Sequence, residues 1–314
     1  MAGLAELGND HVGMLVADKP AGVTSHDVVA KVRHRLQCRA GHTGTLDPQA
    51  TGVLLLCLGR ATRLARFLQS QDKLYECGVR FGWATDTYDS EGEMVGSRLP
   101  VPAIEPQRLA ALLDAFVGEI QQVPPAYSAK KIRGQPAYKR VRRGEVVVHE
   151  PVPVQVYSID LIDRDADVLR LRVHCGSGTY VRTLAHDIGA AMGCAAHLAA
   201  LRRLRVGRFD LSGALSWEAL ESGPVEDIEA RILPAAAMVQ DWPGVVVDRA
   251  GIDVLRNGGV LEPHCIVDRL PAEAAPAPRR REGWVRVMDP DARLLAAAEL
   301  LPGGMLQPRI VLLH

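Results

Sequence analysis

The sequence predicts an α+β protein with a small β-rich C-terminal domain, and three patterns carry that prediction. Apolar residues alternate along KLYECGVRF and VLRLRVHC, the period of half-buried strands. They recur every three to four residues along SHDVVAKVRHRL and EPQRLAALLDAFVGEI, the period of amphipathic helices. Beyond about Ala235 to Trp242 the helical period gives way to short apolar runs separated by turn residues. A chain of 314 residues accommodates one large domain, or a large one and a small one. The expected division is 1–240 and 241–314.

The elements follow in order. VGMLVADKP opens as an apolar strand, and Lys19, Pro20, Ala21 and Gly22 turn the chain. Thr24 or Ser25 caps the next helix, which turns Val28, Val29, Val32 and Leu36 inward. Val53 to Leu58 reads as a buried strand, and RATRLARFLQ as a helix with Leu64, Phe67 and Leu68 inside and Arg60, Arg63 and Arg66 outside. Tyr75, Cys77, Val79 and Phe81 share one strand face. Leu109, Leu112, Leu113, Phe116 and Val117 line a helix that Gly118 stops. A long irregular segment follows, VPPAYSAKKIRGQPAYKRVRRGEVVVHEPVPV, and then the strand VLRLRVHC. The turn Gly176-Ser177-Gly178 leads into TYVRTLAHDIGAAMG, a helix that Thr179 is placed to cap, and on to AAHLAALRRLRVGRF. The C-terminal strands are VVVDRAG, HCIVDRL, WVRVMDP, RLLAAAEL and RIVLLH, with PAEAAPAPRRRE as a mobile Pro/Ala-rich loop.

Net charge is +0, yet the charge is polarised. Lys130, Lys131, Arg133, Lys139, Arg140, Arg142 and Arg143 crowd one segment with Tyr127 and Tyr138 among them, and Arg202, Arg203, Arg205 and Arg208 form a second cluster. Cations interleaved with aromatics suit a phosphate backbone and stacked bases; a solvated loop is the plainer alternative. Acidic residues gather at Asp86 to Glu93 and Glu218 to Glu229. The six cysteines form no C-x-x-C pair, so buried free thiols in a reducing compartment are expected. MAGLAELGNDHVG lacks the basic start and apolar core of a secretory signal, and the longest apolar run, Val53 to Leu58, is too short to span a bilayer. A soluble cytoplasmic protein is expected.

Several motifs fall short of a site. DTYDSEGE lacks the glycine and glutamate spacing of a calcium loop, His186-Asp187 has no partner histidines, and GHTGTLD lacks the Gly-Lys-Ser/Thr of a phosphate loop. Asp47 stands out as a lone carboxylate before proline, ahead of a purely apolar run. A turn aspartate explains it, and so does a nucleophile on a rigid platform. Arg182 falls in the first turn of a helix, where the macrodipole disfavours cations. A carboxylate should compensate it, and Asp47 is an unassigned one.

GHTGTLDPQATGVLLL, GRATRL, KLYECGVRFGWATDTYDSEGE, VPPAYSAKKIRGQPAYKRVRRGE and GTYVRTLAHDIG, in that order, resemble the TruB family of tRNA pseudouridine synthases. The resemblance runs from about Met14 to about Leu220 and includes Asp18-Lys19-Pro20. It implies a mixed, mainly antiparallel central sheet with flanking helices and a central RNA-binding cleft. It implies isomerisation of the uridine at tRNA position 55, in the T-loop: the N1–C1′ bond breaks, the base turns, and it rejoins through C5. No atom is gained or lost, so no cofactor and no metal are required. By the same resemblance the catalytic residues are Asp47, the nucleophile, Tyr75, which packs on the target base and whose hydroxyl is a candidate for proton transfer in the later steps, and Arg182, which pairs with Asp47. Tyr180 and Leu201 line the pocket, His42 fills the gap left by the flipped nucleotide, and Lys19 and Pro20 pack beside the site. The segment at about 124–149 becomes a thumb that closes on RNA, with Lys130, Lys131 and Arg133 as phosphate contacts. The partner implied is tRNA, through its T-loop and stem; no membrane and no obligate protein partner is called for. The last seventy or so residues do not plainly show the RNA-binding module common in the family, which leaves a variant module with a subsidiary RNA role. The alternatives are an RNA-binding or tRNA-folding factor with secondary or no catalysis and, more weakly, a phosphate-handling enzyme.

Overall fold

The computed structural model describes residues 11–127, 149–165, 167–272 and 283–313, with Arg143 and the backbone of 131–132 and 135–136. Lys130 and Arg133, the side chain of Lys131, and Arg279 to Arg281 lie outside the described residues.

A ten-stranded sheet organises the chain up to Pro234. Its order is Leu233–Pro234, Gly13–Lys19, Thr51–Leu58, Ala196–Val206, Lys73–Phe81, Val168–Cys175, Val152–Asp165 and Gly118–Gln122, with Ala40–His42 and Phe209–Asp210 paired alongside. All neighbours are antiparallel except Thr51–Leu58 against Ala196–Val206, which run parallel and meet only at Arg202↔Thr51 and Arg203↔Gly52. The sheet is therefore nearly split at its centre, and the functional cleft opens there. Gly52 makes the join possible: it has φ +103, and a β-carbon there would lie 2.1 Å from the Arg203 carbonyl oxygen.

Both faces of the Gly13–Lys19 and Thr51–Leu58 strands are covered, which is why they read as unbroken apolar runs. One face meets the helix Ser25–Leu36 through Leu15, Leu54, Val28, Val32 and Leu36. Thr24 caps that helix in a full capping box with Asp27. The other face shares a core with the C-terminal sheet: Met14, Val53 and Phe67 pack with Trp242, Met288, Leu294 and Ile310. The Lys73–Phe81 and Val168–Cys175 strands are covered on one face by the helices Pro106–Asp114 and Val181–Ala191. The alternation read from these two strands follows from that one-sided burial.

The differences from expectation are local. RATRLARFLQ is a 3-10 segment, Gly59–Leu64, followed by the short helix Ala65–Gln69. The third helix ends at Asp114, and Gly118 opens an edge strand instead of merely stopping the helix. The irregular segment after it runs into a fourteen-residue strand, Val152–Asp165. Tyr180, not Thr179, is the N-cap residue of the helix that carries Arg182. The C-terminal sheet has five strands, ordered Ile266–Leu270, Gly244–Val247, Trp284–Met288, Leu294–Leu300 and Leu306–Val311. All six cysteines are buried and unpaired. Among the described residues no helix is long and apolar enough to cross a membrane.

Candidate active site

Asp47 stands on a loop that leaves the Ala40–His42 strand and is tied down from three directions. The Ser25 hydroxyl donates to the Leu46 carbonyl at 3.0 Å and accepts from the Leu46 N–H at 2.9 Å. Arg203 Nη2 donates to the Gly44 carbonyl at 3.0 Å. Lys19 Nζ donates to the carbonyl of Pro48 at 2.9 Å, to that of Pro20 at 2.9 Å and to that of Val23. Lys19 is fully buried, at 0% exposure, so its ammonium is spent entirely on fixing backbone. Burial drives its pKa from 10.5 down to about 8, against the pull of Asp47. Pro20 contributes its carbonyl to the same clamp.

The opposite wall is the start of the helix Val181–Ala191. Gln122, buried on the edge strand, brackets the backbone of Tyr180: its side chain accepts from the Tyr180 N–H at 2.7 Å and donates to the Tyr180 carbonyl at 3.0 Å. Two residues on, Arg182 is 8% exposed and its Nε lies 3.1 Å from Asp47 Oδ2. The pairing inferred from the helix-dipole misfit is present. Arg182 also holds a second carboxylate, with Nη1 3.1 Å from Asp89 Oδ2, and Nη2 donates to the Tyr127 carbonyl at 2.9 Å. The remaining Asp89 oxygen accepts from the Thr87 hydroxyl at 2.6 Å and from the Glu91 N–H at 3.1 Å.

Between the walls lies a cleft of about 330 Å³. His42, Asp47, Tyr75, Tyr180, Arg182 and Leu201 all line it, so six of the residues singled out from sequence converge on one space. The Asp47 side chain keeps 39% of its surface open, enough for a substrate to reach the carboxylate. Burial raises the pKa of Asp47 above its ordinary 3.8, and nearby Asp89 adds to the rise; Arg182, Lys19 and Arg203 oppose it without cancelling it. Tyr75 is 8% exposed; burial raises its hydroxyl pKa, and the Arg203 guanidinium that bonds the hydroxyl pulls the other way. His42 has its pKa lowered by burial first and by Arg203 second, and its Nδ1 is buried without a hydrogen-bond partner. A neutral imidazole with an apolar face is suited to stacking on a base.

Several residues here were not anticipated. Asp89 lies within the acidic stretch Asp86 to Glu93, where no motif singles it out. Arg203 belongs with Arg202, Arg205 and Arg208 to a cluster expected to form a nucleic-acid surface, but it is 2% exposed and also donates to the Val53 carbonyl at 2.7 Å. Its position two residues after Leu201, on the same strand face, was the available signal. Arg202 is bidentate to Asp18, and Arg205 lies 3.7 Å from Asp72, so Arg202, Arg203 and Arg205 are all committed within the fold. Lys73, at the cleft floor, donates to the carbonyls of Gln69 and Gln71 at 2.7 and 2.6 Å and is lowered by burial to about 8. His186 of the rejected metal dyad stacks on Tyr88.

Comparison with known proteins adds independent findings. Residues 31–181 match the family model "TruB family pseudouridylate synthase (N terminal domain)", and 182–240 match "tRNA pseudouridylate synthase B C-terminal domain". The chain is 41% identical to the tRNA pseudouridine synthase B of Solibacter usitatus over 302 residues, covering 96% of this chain and 99% of that one. It is 40% identical to the protein of the same name from Stutzerimonas stutzeri over 314 residues, covering 98% of each. Among solved structures it resembles a chain of the archaeal box H/ACA sRNP Nop10-Cbf5 complex, with TM-score 0.70, 25% identity, and coverage of 96% of this chain and 86% of that one.

Proposed function

This chain belongs to the TruB family of pseudouridylate synthases, and from that premise we propose that it isomerises the uridine at position 55 of the tRNA T-loop, with Asp47 as the reacting carboxylate. The observation that carries the assignment of Asp47 is its pairing with Arg182, at 3.1 Å, on the wall of a cleft large enough for a nucleoside.

The target base is stacked within a folded loop, so it is extruded before it reacts, at a cost of roughly a few kcal/mol in stacking. Tyr75 receives the extruded base and His42 occupies the gap it leaves; base–aromatic stacking returns about 1–3 kcal/mol for each. As the N1–C1′ bond weakens, positive charge develops on the sugar, and the Asp47 carboxylate stabilises or traps it. Arg182 holds that carboxylate ionised and aimed. Tyr180 and Leu201 form the apolar wall against which the freed base turns; C5 then bonds to C1′ and releases its hydrogen as a proton, N1 gains a proton in exchange so that no atom is lost overall, and the Tyr75 hydroxyl serves this proton transfer. Lys19 and Pro20 act on the backbone beneath Asp47. Lys130, Lys131 and Arg133 supply phosphate contacts from the thumb, and the C-terminal sheet takes a subsidiary RNA role.

Incubating the protein with an unmodified tRNA transcript and mapping pseudouridine tests the reading. Product is expected at position 55 alone, and Asp47→Asn should abolish it while tRNA affinity stays within a few-fold. Unchanged product from Asp47→Asn would sink the assignment, and tight tRNA binding without product from the unaltered protein would favour a tRNA-folding factor.

A further inference from the structure

We propose that Tyr88 is a positioning residue for the reaction: stacked on His186, it holds Asp89 against the guanidinium that fixes Asp47. The inference rests on the roles given to Asp47 and Arg182 above.

Tyr88 has φ +63, in the left-handed region. A β-carbon there crowds the neighbouring carbonyl, and bulky residues occupy it only where their surroundings hold them. The surroundings of Tyr88 are specific. Its ring lies nearly flat on the imidazole of His186, with centroids 4.2 Å apart and planes 16° from parallel. His186 follows Arg182 by one helical turn, so the two side chains leave the same face of the helix. His186 Nδ1 is buried without a hydrogen-bond partner, so no bond at that atom fixes the ring. The contact with Tyr88 does.

The backbone around Tyr88 is pinned to the central sheet. Its carbonyl accepts from the Leu198 N–H at 2.9 Å, and the Ser90 N–H donates to the Leu198 carbonyl at 3.0 Å. Leu198 lies on the strand that carries Leu201 into the cleft. The result is a closed ring of contacts: helix, His186, Tyr88, Asp89, Arg182, and the same helix again. Relaxing Tyr88 to a negative φ would turn the peptide that joins it to Asp89 and swing that carboxylate away from Arg182. Arg182 would then hold Asp47 with one anchor fewer.

The test is single-turnover pseudouridine formation and tRNA affinity for Tyr88→Gly, His186→Ala, the double variant and Tyr88→Phe. Glycine adopts a positive φ freely, so Tyr88→Gly removes the ring without breaking the turn, and a thermal melt checks that it folds. Tyr88→Gly and His186→Ala should each slow the chemical step about tenfold, since small misplacements at a reacting centre cost rate before they cost binding. Affinity should stay within about twofold, and the double variant should be no slower than the slower single one. Tyr88→Phe keeps the ring and should keep the rate. A normal rate in His186→Ala would overturn the proposal even if Tyr88→Gly failed to fold. Additive losses in the double variant, or affinity falling together with rate, would overturn it too, the latter pointing to direct RNA contact. An unaltered protein that makes no pseudouridine, or an active Asp47→Asn, would instead overturn the parent reading.

Discussion

Burial acts in opposite directions on the acid that lines the cleft and on the amine that clamps the loop behind it. It raises Asp47 and lowers Lys19, although each is the other's counter-charge. On the proposed role Asp47 reacts as the carboxylate, so activity should fall as pH drops through its pKa. Because that pKa is raised, the acid limb of kcat/KM should lie above the 3.8 of an ordinary aspartate. Arg182 is the largest influence lowering it, so Arg182→Met should move the limb to higher pH. The same variant should cut turnover at least about a hundredfold while tRNA affinity changes little, because two carboxylates then share a site without their cation. A pH–rate profile of both proteins checks this; a limb that stays in place would separate Arg182 from Asp47. For Lys19 the sign runs the other way. Its pKa is near 8 folded and near 10.5 unfolded, so the unfolded chain binds more protons between those values and native stability rises with pH across that window. Urea melts of the protein and of Lys19→Met, compared at pH 8 and at pH 10, should diverge in favour of lysine by on the order of 2 kcal/mol. At this scale a cation at a helix start asks for a carboxylate partner, and it took the family resemblance to single out Asp47 as that partner. Asp89 was not legible, because nothing local distinguishes a half-buried carboxylate in DTYDSEGE from the exposed ones beside it.

Among the elements, the join between Thr51–Leu58 and Ala196–Val206 does most to shape the cleft. Two residue pairs hold the halves of the sheet together, and one of them is Arg203↔Gly52. Gly52→Ala would place a methyl group 2.1 Å from one backbone atom and 2.8 Å from another, at a φ that alanine resists. The expected cost is about 3 kcal/mol or more, read as a lowered melting temperature, because no flexible side chain can yield there. Survivors should lose activity, since Arg203 bonds both the Asp47 loop and Tyr75. Strands with one buried face, such as Lys73–Phe81, were legible from alternation alone. Val152–Asp165 was not: its outer half leaves Leu161 and Ile162 exposed at 44% and 47%, which destroys the period. AAHLAALRRLRV carries no period that decides between helix and strand, because alanine and arginine fit either element, and only pairing with Lys73–Phe81 makes it a strand. The split of RATRLARFLQ follows from its packing, with Ala61 and Leu64 in the same buried cluster as Phe67 and Leu68.

For the whole molecule, the question is whether the C-terminal sheet is a separate unit or a wall of the catalytic part. The family models stop at 240, and the sequence changes character there, which suggests a separate unit. The packing argues for a wall. Phe67 stands edge-on to Trp242 at 4.7 Å and to Trp284 at 4.9 Å, so residues from both sides of the boundary form one aromatic cluster. Polar ties cross it as well: Arg63 donates to the Val311 carbonyl at 2.7 Å, and Arg286 to the Gln240 carbonyl at 3.0 Å. A shared core of this kind couples the two parts, unlike the polar interfaces that let domains unfold separately. Trp284→Ala should therefore cost on the order of 2–3 kcal/mol, and the loss should be felt on both sides of residue 240. Hydrogen exchange separates the possibilities. In a coupled molecule the amides of Thr51–Leu58 and those of Leu294–Leu300 lose protection together in the variant, because one opening exposes both. Weakened protection confined to Leu294–Leu300 would mean the sheet opens by itself, and the shared aromatic cluster would then be a contact between independent folding units.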